Sequence, residues 1–434
     1  MNDRTPIGIT NWRNDKTPFF IKDADRLGHI YVIGKTGVGK STLLLNMAIS
    51  DIQKGKGLCI IDPHGDIAET VLKYIPGDRV NDVIYFNPKD ITYPIAFNPL
   101  KGIHPNYHHL VASGLISTFK KIWADSWGPR LEYILRFTLL TLLEYPDATL
   151  LDIQPLLTDI FFRNKVLGYV SNQHTLSFWK NEYDKYSPTL RSEAIAPILN
   201  KTGVFLTSIP LRNIVGQKTR GFRMQQVMDS RKILIANLSK GEIGEDASSL
   251  LGSILVTSVQ LAALFRSTQN EDDRTPFYLY VDEMHSFISL SFVDILAEAR
   301  KYRLSLFLTH QYIDQIDEKI RSAIFGNVGT IISFRVGARD AGQLAKEFYP
   351  VFNEEDLINL PRYSMYLKLM IDGTTSKPFS AMTLPPKPIT SSAKEKIIEL
   401  SRRKYGKERK DVEKSIFERY QRKEEENKER SLFD

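Results

Sequence analysis

Residues His29 to Leu44 read HIYVIGKTGVGKSTLL, and their types and spacing suit them to holding a polyphosphate. A short apolar run, Ile30 to Ile33, meets a glycine-rich turn. Lys40, Ser41 and Thr42 then lead into a leucine-rich stretch of helical character. Gly34-x-x-x-x-Gly39-Lys40-Ser41 has both the spacing and the strand–turn–helix setting of a phosphate-binding loop. Gly34, Gly37 and Gly39 let the backbone bend around an anion with no Cβ in the way. The loop N–H groups then face that anion at the positive end of a helix. Lys40 is suited to reach β- and γ-phosphates as a point charge, and Ser41 to hold Mg2+ through its hydroxyl. The candidate nucleotide-binding set is Gly34, Thr36, Gly37, Val38, Gly39, Lys40, Ser41 and Thr42.

Two further segments could complete the chemistry. Phe277 to Val281 is an apolar strand that ends in Asp282-Glu283. Given a phosphate loop upstream, Asp282 is expected to hold the metal through Ser41 or water, and Glu283 to accept a proton from the attacking water. Leu304 to Leu308 makes another strand, which runs into Thr309-His310-Gln311. A polar amide at such a strand tip orients the lytic water or senses loss of the γ-phosphate, and that role falls to Gln311. A second apolar run, Leu58 to Ile61, ends in Asp62-Pro63-His64-Gly65-Asp66, at the end of the strand where open α/β sheets place ligands. Asp62 is either a further carboxylate near the metal or part of a plain strand-ending turn.

These groups need a scaffold that gathers distant segments at one edge. Strand, loop, helix (to about Gln53) and strand form a βαβ unit, so the strands at 30–33 and 58–61 should be parallel. A third strand follows at Asp82 to Phe86. From about His104 to Arg212 helical periodicity replaces strand signals, with an apolar stripe of Leu131, Ile134, Leu135, Leu139, Leu142 and Leu143. Pro146 stops that helix, and Thr149 with Asp152 reads as the next cap. Trp123, Trp127 and Phe137 are core aromatics or a base-stacking platform, and Arg130 is a polar contact of unassigned role. Strands resume at Lys232 to Leu238, and Lys240 in the loop after them offers a surface to an anionic partner. The last strand pair is Gly329 to Val336 and Met365 to Ile371, with a helix from about Asp340 between them. The segments 1–103 and 213–385 therefore read as two parts of one α/β core, with 104–212 an all-helical insert and 386–434 a charged tail.

Length and composition bound the reading. At 434 residues the chain allows two or three domains, at roughly 100–200 residues each. A net charge of +7 and a pI of about 9.1 are a mild basic excess that permits a polyanionic partner. Residues 385–434 hold 15 Lys and Arg against 11 Asp and Glu, a net +4. Two short helices are expected around Ile397–Leu400 and Val412–Tyr420, with the final EEENKERSLFD disordered. A single cysteine, Cys59, rules out an internal disulfide and points to a reducing compartment. The amino terminus has no signal pattern, and the most apolar stretch, Leu250 to Phe265, holds 16 residues where a spanning helix needs about 20. A cytoplasmic protein is expected.

GKTGVGKST (34–42), IIDPHGD (60–66), YLYVDE (278–283), EARKYRLSLFLTHQ (298–311) and GNVGTIISFRVG (326–337), with about 240 residues between Lys40 and Asp282, together resemble the HerA/FtsK superfamily of DNA-pumping P-loop ATPases, and within it the TraG/TraD-type conjugative coupling ATPases. The resemblance covers roughly residues 25–385. It implies a RecA-like P-loop NTPase fold with a mostly parallel sheet and an all-α domain, ATP and Mg2+ as cofactors, and a homo-hexamer threading DNA of unstated strandedness. It also implies an arginine supplied to the neighbouring subunit's site, matched here by Arg300, with Arg335 as the alternative. The implied function is a DNA translocase or coupling ATPase for conjugative transfer. The alternatives are an ATPase energising protein export in a type IV secretion-like system and a nucleotide-dependent assembly scaffold. Membrane-bound members carry amino-terminal spanning helices, and none is expected here. A membrane-anchored or relaxase-type protein partner would then hold the chain at the inner membrane, or it acts away from one.

Overall fold

A computed structural model describes residues 3–11, 16–389 and 392–419. Tyr420 and the EEENKERSLFD terminus lie outside the described residues. The chain divides into two compact units, Met1–Phe86 with Met224–Gly241 and Ser258–Ser401, and Asn87–Arg223 with Glu242–Thr257 and Arg402–Asp434.

The first unit is built on an 11-stranded sheet. Its strands are β1 (Arg4–Thr10), β2 (Pro18–Lys22), β3 (Ile30–Ile33), β4 (Gly57–Asp62), β5 (Val83–Phe86), β6 (Ile233–Asn237), β7 (Phe277–Val281), β8 (Leu304–His310), β9 (Thr330–Ser333), β10 (Ser364–Lys368) and β13 (Phe379–Thr383). The short pair β11 (Met370–Ile371) and β12 (Thr374–Thr375) forms a separate ribbon. The sheet order is β2-β1-β13-β10-β9-β3-β8-β7-β4-β6-β5. From β9 to β5 all neighbours are parallel, and β10, β13, β1 and β2 extend the sheet antiparallel. Every residue of β3, β4, β6, β7 and β8 is buried, as expected of near-continuous apolar runs covered on both faces. β3 and β4 are parallel as the sequence implied, with β8 and β7 lying between them. β13 was not anticipated: FSAMT is short and half polar, and it earns its place by pairing with β10 and β1.

The helix Lys40–Gln53 packs its Leu43, Leu44, Met47 and Ile49 into the same core as Ile30, Val32 and Ile60 of the sheet. A buried polar cluster pins this helix to the strands. Arg26 Nη1 donates to Asp51 Oδ1 at 2.7 Å and to Thr5 Oγ1 at 3.0 Å, and Nη2 donates to the Tyr280 hydroxyl at 2.8 Å. Tyr280 donates in turn to Asp51 Oδ2 at 2.6 Å. Burial pushes the Asp51 carboxyl up, yet the Arg26 guanidinium outweighs it and holds the group below the usual carboxylate range. Cys59 is buried in β4, where burial raises its thiol pKa.

The second unit is helical among its described residues up to Arg223. The predicted stripe of Leu131, Ile134, Leu135, Leu139, Leu142 and Leu143 lies buried on the helix Pro129–Glu144. Thr149 and Asp152 form a capping box. Phe137 stacks on Phe178 at 4.3 Å, Trp123 stacks on Phe119 at 5.0 Å, and Trp127 Nε1 donates to Glu132 at 2.8 Å. These contacts suit the core reading of the three rings, each of which is half-buried.

One expectation is corrected. The apolar stretch at 250–265 belongs to a longer helix, Glu245–Phe265, of 21 residues. With the turn that follows, it is long and apolar enough to cross a bilayer, but 72% of its most apolar window is buried within the fold, as in a core helix. The misreading came from starting at the first leucine rather than at the acidic first turn, Glu245-Asp246.

Removing one partner of a buried ion pair strands the other. Asp51→Ala is therefore expected to cost about 3–5 kcal/mol in urea unfolding. A loss under about 1 kcal/mol would contradict the role given to the Arg26–Asp51–Tyr280 cluster.

Candidate functional site

Strands β3, β8, β7 and β4 are neighbours and parallel, so their carboxyl ends meet at one edge. β3 delivers the glycine-rich loop, β8 delivers Thr309 to Gln311, β7 delivers Asp282-Glu283, and β4 delivers Asp62.

The loop has the required backbone. Gly37 has φ +74° and Gly39 φ +129°, conformations that favour glycine, and a Cβ on Gly39 would sit 3.0 Å from Phe334. The helix from Lys40 starts with no side-chain cap, so its first N–H groups stay open toward an anion. Lys35, Thr36, Gly37 and Ser41 are exposed, whereas Val38 and Lys40 are buried and Thr42 half-buried. Lys40 Nζ donates to the carbonyls of Gly34 at 2.6 Å and Lys35 at 3.0 Å. Burial pulls the Lys40 pKa down, opposed by the negative charges of Glu283 and Asp282. Lys40 and the paired acids, remote in sequence, are thus electrostatic neighbours. A cleft of about 710 Å³ opens beside the loop, lined in part by Lys35, Thr36, Gln311 and Asp340.

Thr309 organises the two acids. Its hydroxyl donates to Asp282 Oδ1 at 2.5 Å and accepts from the Glu283 N–H at 3.3 Å. Glu283 has φ +48°, uncommon for a residue with a side chain and a recurrent feature of functional sites. Gln311 Nε2 donates to Glu283 Oε1 at 2.9 Å, and His285 Nδ1 stands 3.4 Å from Oε2. Burial pushes the Asp282 carboxyl up to about 6; the Thr309 hydrogen bond opposes this, the charges of Asp62 and Glu283 add to it, and Lys40 counters. Beside Thr309, His310 turns the other way, onto the Tyr31 hydroxyl at 3.2 Å, and burial lowers its pKa to about 3, which keeps it neutral.

Asp62 is used by its own turn. Its carboxylate oxygens accept from the His64 N–H and the Ala68 N–H, both at 2.9 Å, which fits the strand-ending-turn reading. Lys240 Nζ donates to Ser286 Oγ at 2.9 Å, beside the acids. The two arginines part company. Arg335 is exposed at the loop's flank, where its carbonyl accepts from the Lys35 N–H at 2.9 Å. Arg300 is exposed in the 3₁₀ turn Ala299–Tyr302 that precedes β8. It lies near His29, at the amino end of β3, where burial lowers the His29 pKa to about 4 and the Arg300 charge adds to that effect. Seven residues of β8 separate that turn from the loop edge, roughly 20 Å at ~3.3 Å per residue.

Sequence reasoning missed Thr309 and His285 as partners of the acids. Thr309 had a signal, a hydroxyl near the carboxyl end of a largely apolar strand. His285 had none, because its proximity follows from the turn after β7.

The Asp282 carboxyl gives a test with a definite sign. Its folded pKa of about 6 lies above 3.8, so the stability it contributes is fully present below about pH 4 and is lost as pH rises through about 6. In EDTA, Asp282→Asn should exceed wild type in stability by about 2–3 kcal/mol at about pH 8 and match it near pH 4, at 1.36 kcal/mol per pKa unit. No gain at the higher pH would contradict the buried, metal-free carboxylate described above.

Comparison with solved structures bears on the fold. The bacterial conjugative coupling protein TrwBdeltaN70 matches with a TM-score of 0.63 at 17% identity, over 86% of this chain and 88% of that one. Plasmid coupling protein TrwB in complex with ADP and Mg2+ matches at 0.61 and 16%, over 88% and 90%. VirB4 of Thermoanaerobacter pseudethanolicus matches at 0.59 and 13%, over 88% and 96%. These likenesses make the fold that of a RecA-like P-loop NTPase with an all-helical part. No curated protein matches in sequence. The family described as the type IV secretion-system coupling protein DNA-binding domain matches residues 18–360, and the chain belongs to that family.

Proposed function

We propose that this chain is the ATP-hydrolysing motor of a conjugative DNA-transfer apparatus, working as a homo-hexamer on DNA. The observation that carries the reading is the meeting of Lys40, Asp282, Glu283 and Gln311 at neighbouring strand ends. TrwB has been solved with ADP and Mg2+, with an ATP analogue and with a GTP analogue, which supports a nucleotide at the equivalent loop. In this reading 1–103 and 213–385 form the engine, 104–212 a helical domain and 386–434 a tail. A membrane-anchored or relaxase-type partner would hold the ring, otherwise cytoplasmic, at the inner membrane.

The residues fit Mg2+. Among the described residues no three His, Cys, Asp or Glu form a ready-made cage. Mg2+ on a nucleotide needs only one or two protein oxygens. Ser41, exposed at the helix start, and the buried Asp282 supply them. When bound, the ion neutralises phosphate charge. The chain does the rest. The loop from Gly34 to Thr42, with Thr36 and Val38, wraps the phosphates, and Lys40 shifts from its loop carbonyls to phosphate oxygens. Glu283 takes the proton of the attacking water, and Gln311, already bonded to it, orients that water or senses the γ-phosphate. Arg300, roughly 20 Å from its own loop at ~3.3 Å per strand residue, acts on the neighbouring subunit's nucleotide, where such an arginine is worth about 10³–10⁵ in rate. Arg335 flanks its own loop and is the second choice.

Binding to DNA should run through phosphates and weaken with salt. ATPase stimulation by DNA should fall between about 50 and 200 mM salt; absence of stimulation by any DNA would favour the export reading. Lys40→Ala should abolish turnover, and Glu283→Gln should cut it about 10²–10⁴-fold with ATP still bound. Full turnover in Glu283→Gln would refute the general-base assignment. Mixing Arg300→Ala with Lys40→Ala subunits should restore part of the lost ATPase; no recovery at any ratio would argue against a shared site.

A further inference from the structure

A strap crosses the outer face of the phosphate loop, and neither the sequence motifs nor the reading above gives it a role. The Tyr363 N–H donates to the Val38 carbonyl at 2.8 Å, and Arg362 Nε donates to the Gly37 carbonyl at 2.9 Å. The Arg362 guanidinium lies over the Tyr363 ring at 4.8 Å. Tyr363 has φ +67°, and the Thr383 N–H holds its carbonyl at 2.9 Å. A tyrosine held in a left-handed conformation by hydrogen bonds on both sides stores backbone strain, which clusters at ligand sites. Both side chains are exposed, although each touches the loop. The Tyr363 ring comes so close that a Cβ on Gly39 would meet it at 3.2 Å.

The direction of the polyphosphate gives the strap its meaning. Glu283 and Gln311 mark the γ end, on the side of β7 and β8. A polyphosphate with its γ end there and its other phosphates along the loop would carry its nucleoside to the opposite side of the loop, where the sheet continues into β9 and β10. Arg362 and Tyr363, just ahead of β10, stand there. An exposed guanidinium held by Gly37 and lying over an aromatic ring is a group suited to stack on a purine base.

We propose that Arg362 and Tyr363 form the wall on which the purine nucleoside of the bound triphosphate stacks. The proposal rests on the reading of Gly34–Thr42 as the triphosphate site, and the test separates the two. In the full chain, affinities for Mg-ATP and for Mg-tripolyphosphate are measured by calorimetry. Wild type should bind ATP more tightly than tripolyphosphate. Arg362→Ala, Arg362→Lys and Tyr363→Asn, the last compatible with a left-handed backbone, should each weaken ATP about tenfold, the order a single stacking contact supplies. Tripolyphosphate affinity should stay within about twofold of wild type, which also shows that the loop is intact. Equal weakening of both ligands would make the pair a prop for the loop or a phosphate contact, and no weakening of either would leave it without a role; both results overturn the proposal. Lys40→Ala should lose both ligands. A wild-type chain that binds neither would remove the phosphate site, and this proposal with it.

Discussion

One hydroxyl, buried where four parallel strands end, fixes the geometry of the site. Thr309 Oγ1 touches both halves of the acidic pair, donating to the Asp282 carboxylate and accepting from the Glu283 backbone. It can do so because β8 lies between β3 and β7, so the loop and the acids stand two strand spacings apart, about 10 Å, with Thr309 on the strand between them. Insert another strand, or slip β8 by one residue, and Thr309 would face away while His310 took its place. Strand order and register are therefore functional constraints here, not only architectural ones.

The charges behind that edge are arranged with the same economy. The helix that follows the loop ends near Asp51, which Arg26 and Tyr280 tie to β1 and β7. The strand that holds the acids is thus bonded to the helix that holds Lys40, beneath the site as well as at it. At the edge itself, a buried lysine with a lowered pKa faces a buried aspartate with a raised one. In the proposed reading a magnesium triphosphate would relieve both, giving the lysine an anion and the aspartate a cation. Groups perturbed in this way, in one cleft, are typical of sites built for a charged ligand.

Much of this was legible in the residues. The phosphate loop, the apolar strands and the Thr149–Asp152 cap are local patterns, and local patterns survive folding. The acids could be proposed for metal and proton roles only because a phosphate loop stood upstream. What stayed hidden was non-local. The strap of Arg362 and Tyr363 depends on β10 running antiparallel to β9, so that its start falls beside Gly37 and Gly39. β13 depends on partners on both sides rather than on its own composition. The resemblance favoured Arg300 over Arg335, but that the two sit at opposite ends of the strands shows only in the sheet.

The central claim is that a single triphosphate lies between Lys40 and the pair Asp282–Glu283. A structure of the full chain with a non-hydrolysable ATP analogue, Mg2+ and DNA tests it most directly. The account predicts phosphate oxygens at the Lys40 ammonium, with the metal bounded by Ser41 and Asp282 and Glu283 facing the γ-phosphate. Phosphates bound away from these side chains, or separated from either acid by a further element of the fold, would contradict it.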